Sequence, residues 1–117
     1  MKQSIKEELT QHIVDLINDG VLTSENKDDW HFHAFNEDYY IVYHHAAREW
    51  LKRHNLDVFE AIEVVREYET DNFGEMTTDV NPEKIVNMLA YIWGEEILGE
   101  YWETETIEEL KEELTNA

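Results

Sequence analysis

Apolar residues recur at helical spacing in several stretches of the chain, and this pattern predicts most of the secondary structure. A capping box of Ser4 and Glu7 predicts the start of the first helix, and Gly20 predicts its end. The apolar residues between them fall on one helix face: Ile5, Leu9, Ile13, Leu16 and Ile17.

The second quarter of the chain is less regular. The residues that follow Gly20 lack a helical period, and the alternation WHFHA predicts either a short strand or an ordered loop near residues 30–35. Asn36 can cap a second helix that runs from about Glu37 to Arg53. The first half of this helix, YYIVY, is apolar on almost all sides, so we expect it to be deeply packed.

A third helix is predicted to start at a second capping box, formed by Asp57 and Glu60, and to end near Thr70. The spacing of its apolar residues indicates an amphipathic helix. The apolar face is expected to contain Phe59, Ile62 and Val65.

Two more helices follow. Asn81 and then Pro82 start a fourth helix, because proline is tolerated at the first helical position. This helix is apolar on most sides and should be central, with a bend or break expected near Gly94 and Gly99. Thr106, three residues before a glutamate, predicts the start of a last helix.

These elements predict an all-α fold, a compact bundle of four to five helices that forms a single domain over residues 1–117. Hydrophobic residues make up 42% of the chain, so it can bury a core despite its charge. The chain has no cysteine, no signal-like apolar start and no run long enough to span a membrane. We therefore expect a soluble cytoplasmic protein.

Negative charge dominates the chain, which holds 28 Asp and Glu against 9 Lys and Arg for a formal net charge of −19. Residues 1–56 hold ten acids and six Lys/Arg, a net of −4, whereas residues 57–117 hold eighteen and three, a net of −15. Such a field repels DNA, RNA and anionic membranes. A direct nucleic-acid or membrane partner is therefore not expected, and a protein partner should be basic.

Twelve acidic residues form the candidate partner-binding surface. Residues three or four apart share a helix face, which groups these acids into rows. Carboxylates four residues apart repeat about every 6 Å along a helix, comparable with but not matched to the roughly 3.4 Å between phosphates of a DNA strand. The predicted phosphate-replacing residues are Glu60, Glu63, Glu67, Asp71, Glu75, Asp79, Glu96, Glu100, Glu103, Glu105, Glu109 and Glu112.

The order of features in residues 57–114 resembles that of the small acidic DNA-mimic proteins of phages, above all the Ocr-type anti-restriction proteins. The shared order is the helix DVFEAIEVV, the acidic loop DNFGEMTTDVN, the apolar helix KIVNMLAYIWGEEIL and an acidic tail helix. The resemblance implies a non-enzymatic inhibitor, often a bent homodimer. It would compete with DNA for the groove of a nuclease or of a restriction or CRISPR complex in the host cytoplasm.

Aromatic and histidine residues add further candidates. Tyr101 and Trp102 lie between acids, and we expect them to add apolar contacts to the acidic surface. Four of the six histidines fall between residues 31 and 45, but no HExxH or ExxH spacing is present. We therefore predict no metal and no cofactor. The low-ranking candidate ligands are His31, His33, His45 and Glu49.

Other functions stay open from the sequence alone. The acids are equally consistent with a purely solvated surface, as in a halophilic adaptation. The chain is also consistent with an acidic adaptor or regulator that binds a protein through an apolar helix face. A His/carboxylate metal-binding protein is a third alternative.

Overall fold

A computed structural model describes residues 1–36 and 38–116 of the chain. The regular structure of these residues is entirely helical, which confirms the predicted all-α class. A short 3-10 helix spans Ser24–Asp29. Among the described helices, none combines the length and the hydrophobicity that a membrane span requires. The α-helices are α1 (Gln3–Asn18), α2 (Trp30–Phe35), α3 (His44–Arg53), α4 (Val58–Phe73), α5 (Pro82–Gly99) and α6 (Ile107–Asn116).

Helix α5 is the centre of the fold, as its apolar sequence predicts. It packs against α1, α2, α3 and α4, while α6 packs against α1. Ile85 and Leu89 of α5 are fully buried, and so is Leu110 of α6. Burial of the α5 side chains from several directions therefore positions the other helices.

The break expected near Gly94 and Gly99 falls at Gly99, where α5 ends, and the helix runs without a break through Gly94. A Cβ on Gly94 would fall 2.2 Å from a ring carbon of Phe35. The missing side chain therefore makes room for α2. Nothing lies within 4 Å of such a Cβ on Gly99.

Residues 30–35 form the short helix α2 rather than a strand or a loop. Trp30 and Ala34, four residues apart, are buried, whereas Phe32 faces solvent. The apparent alternation in the sequence is therefore one turn of an amphipathic helix.

The second predicted helix is wrong over its first half. Helix α3 begins only at His44, and the predicted start, Glu37, lies outside the described residues. The run YYIVY is not deeply packed. Tyr40 is buried, but the other large residues of the run, Tyr39, Ile41 and Tyr43, are exposed.

Side-chain amides hold this segment out of the helix. Asn36 Oδ1 accepts the N–H of Asp38 at 2.9 Å, and Asn87 Oδ1 on α5 accepts the N–H of Val42 at 3.0 Å. Asn87 Nδ2 also donates to the carbonyl of Val42 at 3.4 Å. Aromatic and β-branched residues have low helix propensity, so these bonds delay the helix start to His44.

Three of the predicted caps are present, and one of them starts α6, where the Thr106 hydroxyl accepts the N–H of Glu109 at 3.3 Å. The Asp57 carboxylate accepts the N–H of Phe59 at 2.6 Å at the start of α4. At the start of α5, the Asn81 side chain accepts the N–H of Lys84 at 2.9 Å. Helices α4, α5 and α6 therefore begin where the sequence indicates.

Helices α1 and α4 differ from their predictions in detail. Ser4 is not a cap, because α1 begins at Gln3. Helix α4 ends at Phe73 rather than near Thr70, and Phe59, predicted to be buried, is 74% exposed. The buried residues of α4 are Ala61, Val65 and Glu69.

Candidate acidic interaction surface

All twelve acids predicted to replace phosphates are exposed. They do not lie along a single helix. The structure places four of them on α4, four in a groove beside α6, and the other four elsewhere on the surface.

The α4 row consists of Glu60, Glu63, Glu67 and Asp71, spaced three or four residues apart. Because α4 extends to Phe73, Asp71 belongs to the helix rather than to the following loop. Eleven residues of helix separate the ends of the row by about 16 Å. Arg66 forms an ion pair with Glu63, and such surface pairs contribute little to stability.

The acidic groove lies between helix α6 and the turn that follows α5, and Tyr101 lines it. Two adjoining hollows form the groove, which has carboxylates on both sides. The acids that line it are Glu100, Glu103, Glu109, Glu112 and Glu113. This concentration of carboxylates in one concave surface focuses negative potential there.

The sequence missed this arrangement. A helical row of Glu96, Glu100 and Glu103 would require the helix to continue past Gly99, but α5 ends at that residue. The turn instead carries Glu100 and Glu103 to the acids of α6. Glu113 was not predicted, although it follows Glu109 by four residues, and the Thr104 hydroxyl donates to its carboxylate at 2.9 Å.

Four acids lie outside both groups. Glu96 is on α5 and Glu105 precedes α6, while Glu75 and Asp79 are on the loop between α4 and α5. Asp79 lines a hollow with Thr78. The structure therefore does not bring these four into the acidic groove.

The buried carboxylate of Glu69, which the sequence did not identify, anchors the α4–α5 loop. It accepts the hydroxyl of Thr77 at 2.9 Å and the N–H of Thr78 at 3.0 Å. Burial alone would raise the pKa of Glu69, but these donors outweigh burial and lower its pKa. Its position four residues after the buried Val65 is the sequence signal for it.

The two aromatic residues proposed as contacts differ in exposure. Tyr101 is half-buried, whereas Trp102 is 62% exposed. Lys27 Nζ lies 5.1 Å from the Trp102 ring centroid and donates to the Trp102 carbonyl at 3.1 Å. Trp102 is therefore the better placed of the two to contact a partner.

A polar network centred on Glu8 joins α1 to α3. The Glu8 carboxylate accepts the Trp50 indole N–H at 2.5 Å and the Tyr40 hydroxyl at 3.0 Å, and it pairs with Arg53. Burial alone would raise the pKa of Glu8, but the donors and the Arg53 charge lower it. Burial and the nearby Glu8 charge raise the pKa of Tyr40.

His54 extends this network. Its Nδ1 lies 2.9 Å from the Ser4 hydroxyl, and its Nε2 lies 3.5 Å from a Glu8 oxygen without a hydrogen-bond partner among the described residues. The ring also packs edge-on against Trp50 with centroids 4.6 Å apart. Because His54 and Trp50 are buried, these contacts hold α1 against α3.

The histidines proposed as low-ranking metal ligands contact aromatic rings. His31 contacts Tyr91, His33 contacts Phe32 and Tyr39, and His45 stacks on Tyr43. Within residues 1–36 and 38–116, no group of three or more His, Asp or Glu could hold a metal ion. The exposed Glu49 therefore does not complete a metal site with these histidines.

Comparison of the chain with protein-family models, with curated proteins and with solved structures finds no match. The resemblance to phage DNA mimics therefore stays a prediction from the sequence pattern. Function has to be inferred from the surface itself.

Proposed function

We propose that the protein is a non-enzymatic inhibitor that binds the basic groove of a DNA-handling protein and competes with DNA. The observation that carries this proposal is the exposure of all twelve acids, four of them gathered with Glu113 in one groove. Like charges at this density repel each other and destabilise the folded chain. A basic partner would relieve that repulsion on binding.

The dimensions of the α4 row support the comparison with DNA. Its four carboxylates span about 16 Å, which is comparable with the axial distance of roughly five phosphates of one strand although the individual spacings are not matched. Arg and Lys side chains arranged to contact phosphates would therefore meet carboxylates over a similar span. The partner class proposed is a nuclease or a restriction or CRISPR complex, with the inhibitor acting in the host cytoplasm as a monomer or homodimer.

The proposal is tested by capture from a bacterial lysate at low salt with three immobilised baits. One bait is the wild-type protein, and the second carries Glu→Gln at four groove positions: Glu100, Glu103, Glu109 and Glu112. The third has the same net charge as the second, with Glu→Gln or Asp→Asn at four exposed acids of the other half: Glu7, Asp15, Asp19 and Glu49.

We expect the wild type and the third bait to retain the same basic DNA-binding protein, and the groove variant to lose it. Equal recovery on all three baits would contradict a role for the acidic groove. Equal loss on both variants would show that net charge alone attracts the protein, which also contradicts a defined surface.

A second candidate function is an adaptor whose acids serve solubility. The observation that favours it is the exposure of apolar side chains in the less charged half: Phe32 is 51% exposed, Ile41 49% and Tyr43 60%. A partner bound there should stay bound at high salt, whereas an electrostatic partner should dissociate. Ile41→Ser should release the first kind of partner and leave the second unaffected.

A further inference from the structure

Trp102 stands at the edge of a small groove whose chemistry suits a cationic side chain. We propose that this Trp102 groove holds one arginine side chain of the basic partner, an inference that rests on the proposed function. The residues that give it its chemistry are Lys27, Asp28, Trp30, Glu95, Leu98 and Trp102.

The size of the groove favours a side chain over a small molecule. Its volume is about 250 Å³. Pockets for drug-sized ligands have volumes of roughly 300–1,000 Å³. Trp30, Leu98 and Trp102 give the groove apolar walls against which the methylene groups of an arginine can pack.

Charge in the groove selects for a cation. Asp28 and Glu95 are exposed at its edge, and the Tyr68 hydroxyl donates to the Glu95 carboxylate at 3.0 Å. Burial and this hydrogen bond raise the pKa of Tyr68 to about 12, so the phenol keeps its proton and orients Glu95. A groove lined by both carboxylates and indole rings matches a guanidinium, which forms bidentate hydrogen bonds and stacks on aromatic rings.

Lys27 already occupies the position of such a cation. Its ammonium lies over the Trp102 ring and donates to the Trp102 carbonyl. The contact is at the surface, where a single ammonium interaction is weak and easily exchanged. A guanidinium gains both stacking and paired hydrogen bonds, so an arginine from the partner should displace Lys27.

The Trp102 groove adjoins the acidic groove. Gly99 and Trp102 line both of them. An arginine seated against Trp102 would therefore extend from the same basic surface that faces Glu100 and Glu103. Tryptophan is enriched among the residues that dominate binding energy at protein interfaces, so Trp102 should contribute more than any single acid.

The test uses the whole protein and the peptide acetyl-Gly-Arg-Gly-amide, followed by NMR of backbone and indole N–H groups. The control peptides replace arginine by lysine or by citrulline, which has a similar shape without charge. We expect saturable shifts at the Trp102 indole and at Gly99, larger with arginine than with lysine and absent with citrulline. Equal shifts with citrulline, or arginine shifts spread evenly over α4 and α6, would overturn the proposal.

Single substitutions distinguish peptide binding in the Trp102 groove from attraction by the overall negative charge of the protein. Trp102→Ala should weaken arginine-peptide binding roughly fivefold, and Lys27→Met should tighten it about threefold by removing the competing cation. Glu95→Gln should weaken binding, whereas Asp19→Asn, the same charge change at an exposed acid outside the groove, should not. Unchanged binding in Lys27→Met, or equal weakening by Glu95→Gln and Asp19→Asn, would overturn the proposal.

The peptide experiment needs no partner protein, so its failure and the failure of the lysate capture are distinguishable. Peptide binding without a captured protein would remove the inhibitor proposal and keep the arginine site. A captured partner that binds Trp102→Ala as tightly as the wild type would remove the arginine site and keep the inhibitor proposal.

Discussion

The ring of Phe35 occupies the space that a side chain on Gly94 would fill. A Cβ on Gly94 would fall 2.2 Å from Cδ2 of Phe35, and Phe35 is itself buried. Real Cβ atoms do not approach a ring so closely, so this pair fixes the distance between α2 and α5. Because α2 carries Trp30 and His31, the same contact supports one wall of the Trp102 groove.

Gly94→Ala should therefore destabilise the protein by about 2 kcal/mol, since overpacking costs more than the helix propensity that alanine gains. Gly99→Ala is the matched control, because it lies in the last turn of the same helix without a neighbour within 4 Å. Urea unfolding followed by circular dichroism measures both. Equal stability of Gly94→Ala and the wild type would show that Phe35 does not hold this position.

Glu8 should make the stability of the protein depend on pH in the acid range. Its folded-state pKa lies below the ordinary value of 4.5, so its contribution is complete above that value and lost as the pH falls through the folded pKa. Glu8→Ala should cost about 3 kcal/mol at neutral pH, because it removes the acceptor of the Tyr40 hydroxyl and the ion pair of Arg53, and leaves the Trp50 N–H only the Tyr40 oxygen at 3.1 Å.

The control variant is Glu7→Gln, which changes the neighbouring exposed acid. Thermal unfolding at a series of pH values should show a steeper loss of stability on acidification for the wild type and Glu7→Gln than for Glu8→Gln. Parallel curves for all three proteins would mean that Glu8 does not hold a lowered pKa.

Glu69 should control the order of the loop that carries Glu75 and Asp79. Glu69→Ala removes the acceptor for Thr77 and Thr78, so the Thr78 amide should exchange with solvent at least about tenfold faster, as expected for losing a hydrogen bond to a charged group. Glu67→Ala, an exposed acid on the same helix, is the control. Similar exchange rates in both variants would exclude an anchoring role for Glu69.

The density of acids in the groove should itself destabilise the protein. Glu→Gln at Glu100, Glu103, Glu109 and Glu112 together should raise stability by roughly 0.5–1 kcal/mol at low salt, since the like charges that line this groove repel each other. Added NaCl should reduce this gain, because screening weakens the repulsion in the wild type. Calorimetry at low and high salt measures it, and a gain independent of salt would contradict an electrostatic origin.

Binding should respond to these acids collectively. A single Glu→Gln change at Glu109 should leave partner binding nearly unchanged, whereas the fourfold groove variant should weaken it severely, because the long-range field is shared. Titration of both variants against the captured partner measures this. Loss of binding on substitution of a single acid would contradict the distributed surface and indicate a local hot spot.

The helices with regular apolar spacing could be predicted from the sequence. The periodicity of α1, α4, α5 and α6 depends on local residues, and so do the caps at Asp57 and Asn81. The sequence also predicted the exposed acids, because carboxylates at this density cannot be buried.

The features that the sequence did not predict depend on contacts between residues far apart in the chain. Asn87 holds Val42 out of a helix across 45 residues, and Glu8 joins Tyr40 and Trp50 to α1. Gly94 looked like a helix breaker because the sequence does not show that Phe35 lies against it. The acidic groove likewise forms only because the chain turns after α5 and places α6 opposite that turn.

The most direct test of the central claim is elution of a captured lysate partner with duplex DNA at constant ionic strength. A neutral polymer at the same concentration serves as the control eluent. We predict that DNA releases one basic DNA-binding protein and that the polymer releases nothing. A partner that duplex DNA does not release and that stays bound at high salt would contradict DNA mimicry and favour the adaptor function instead.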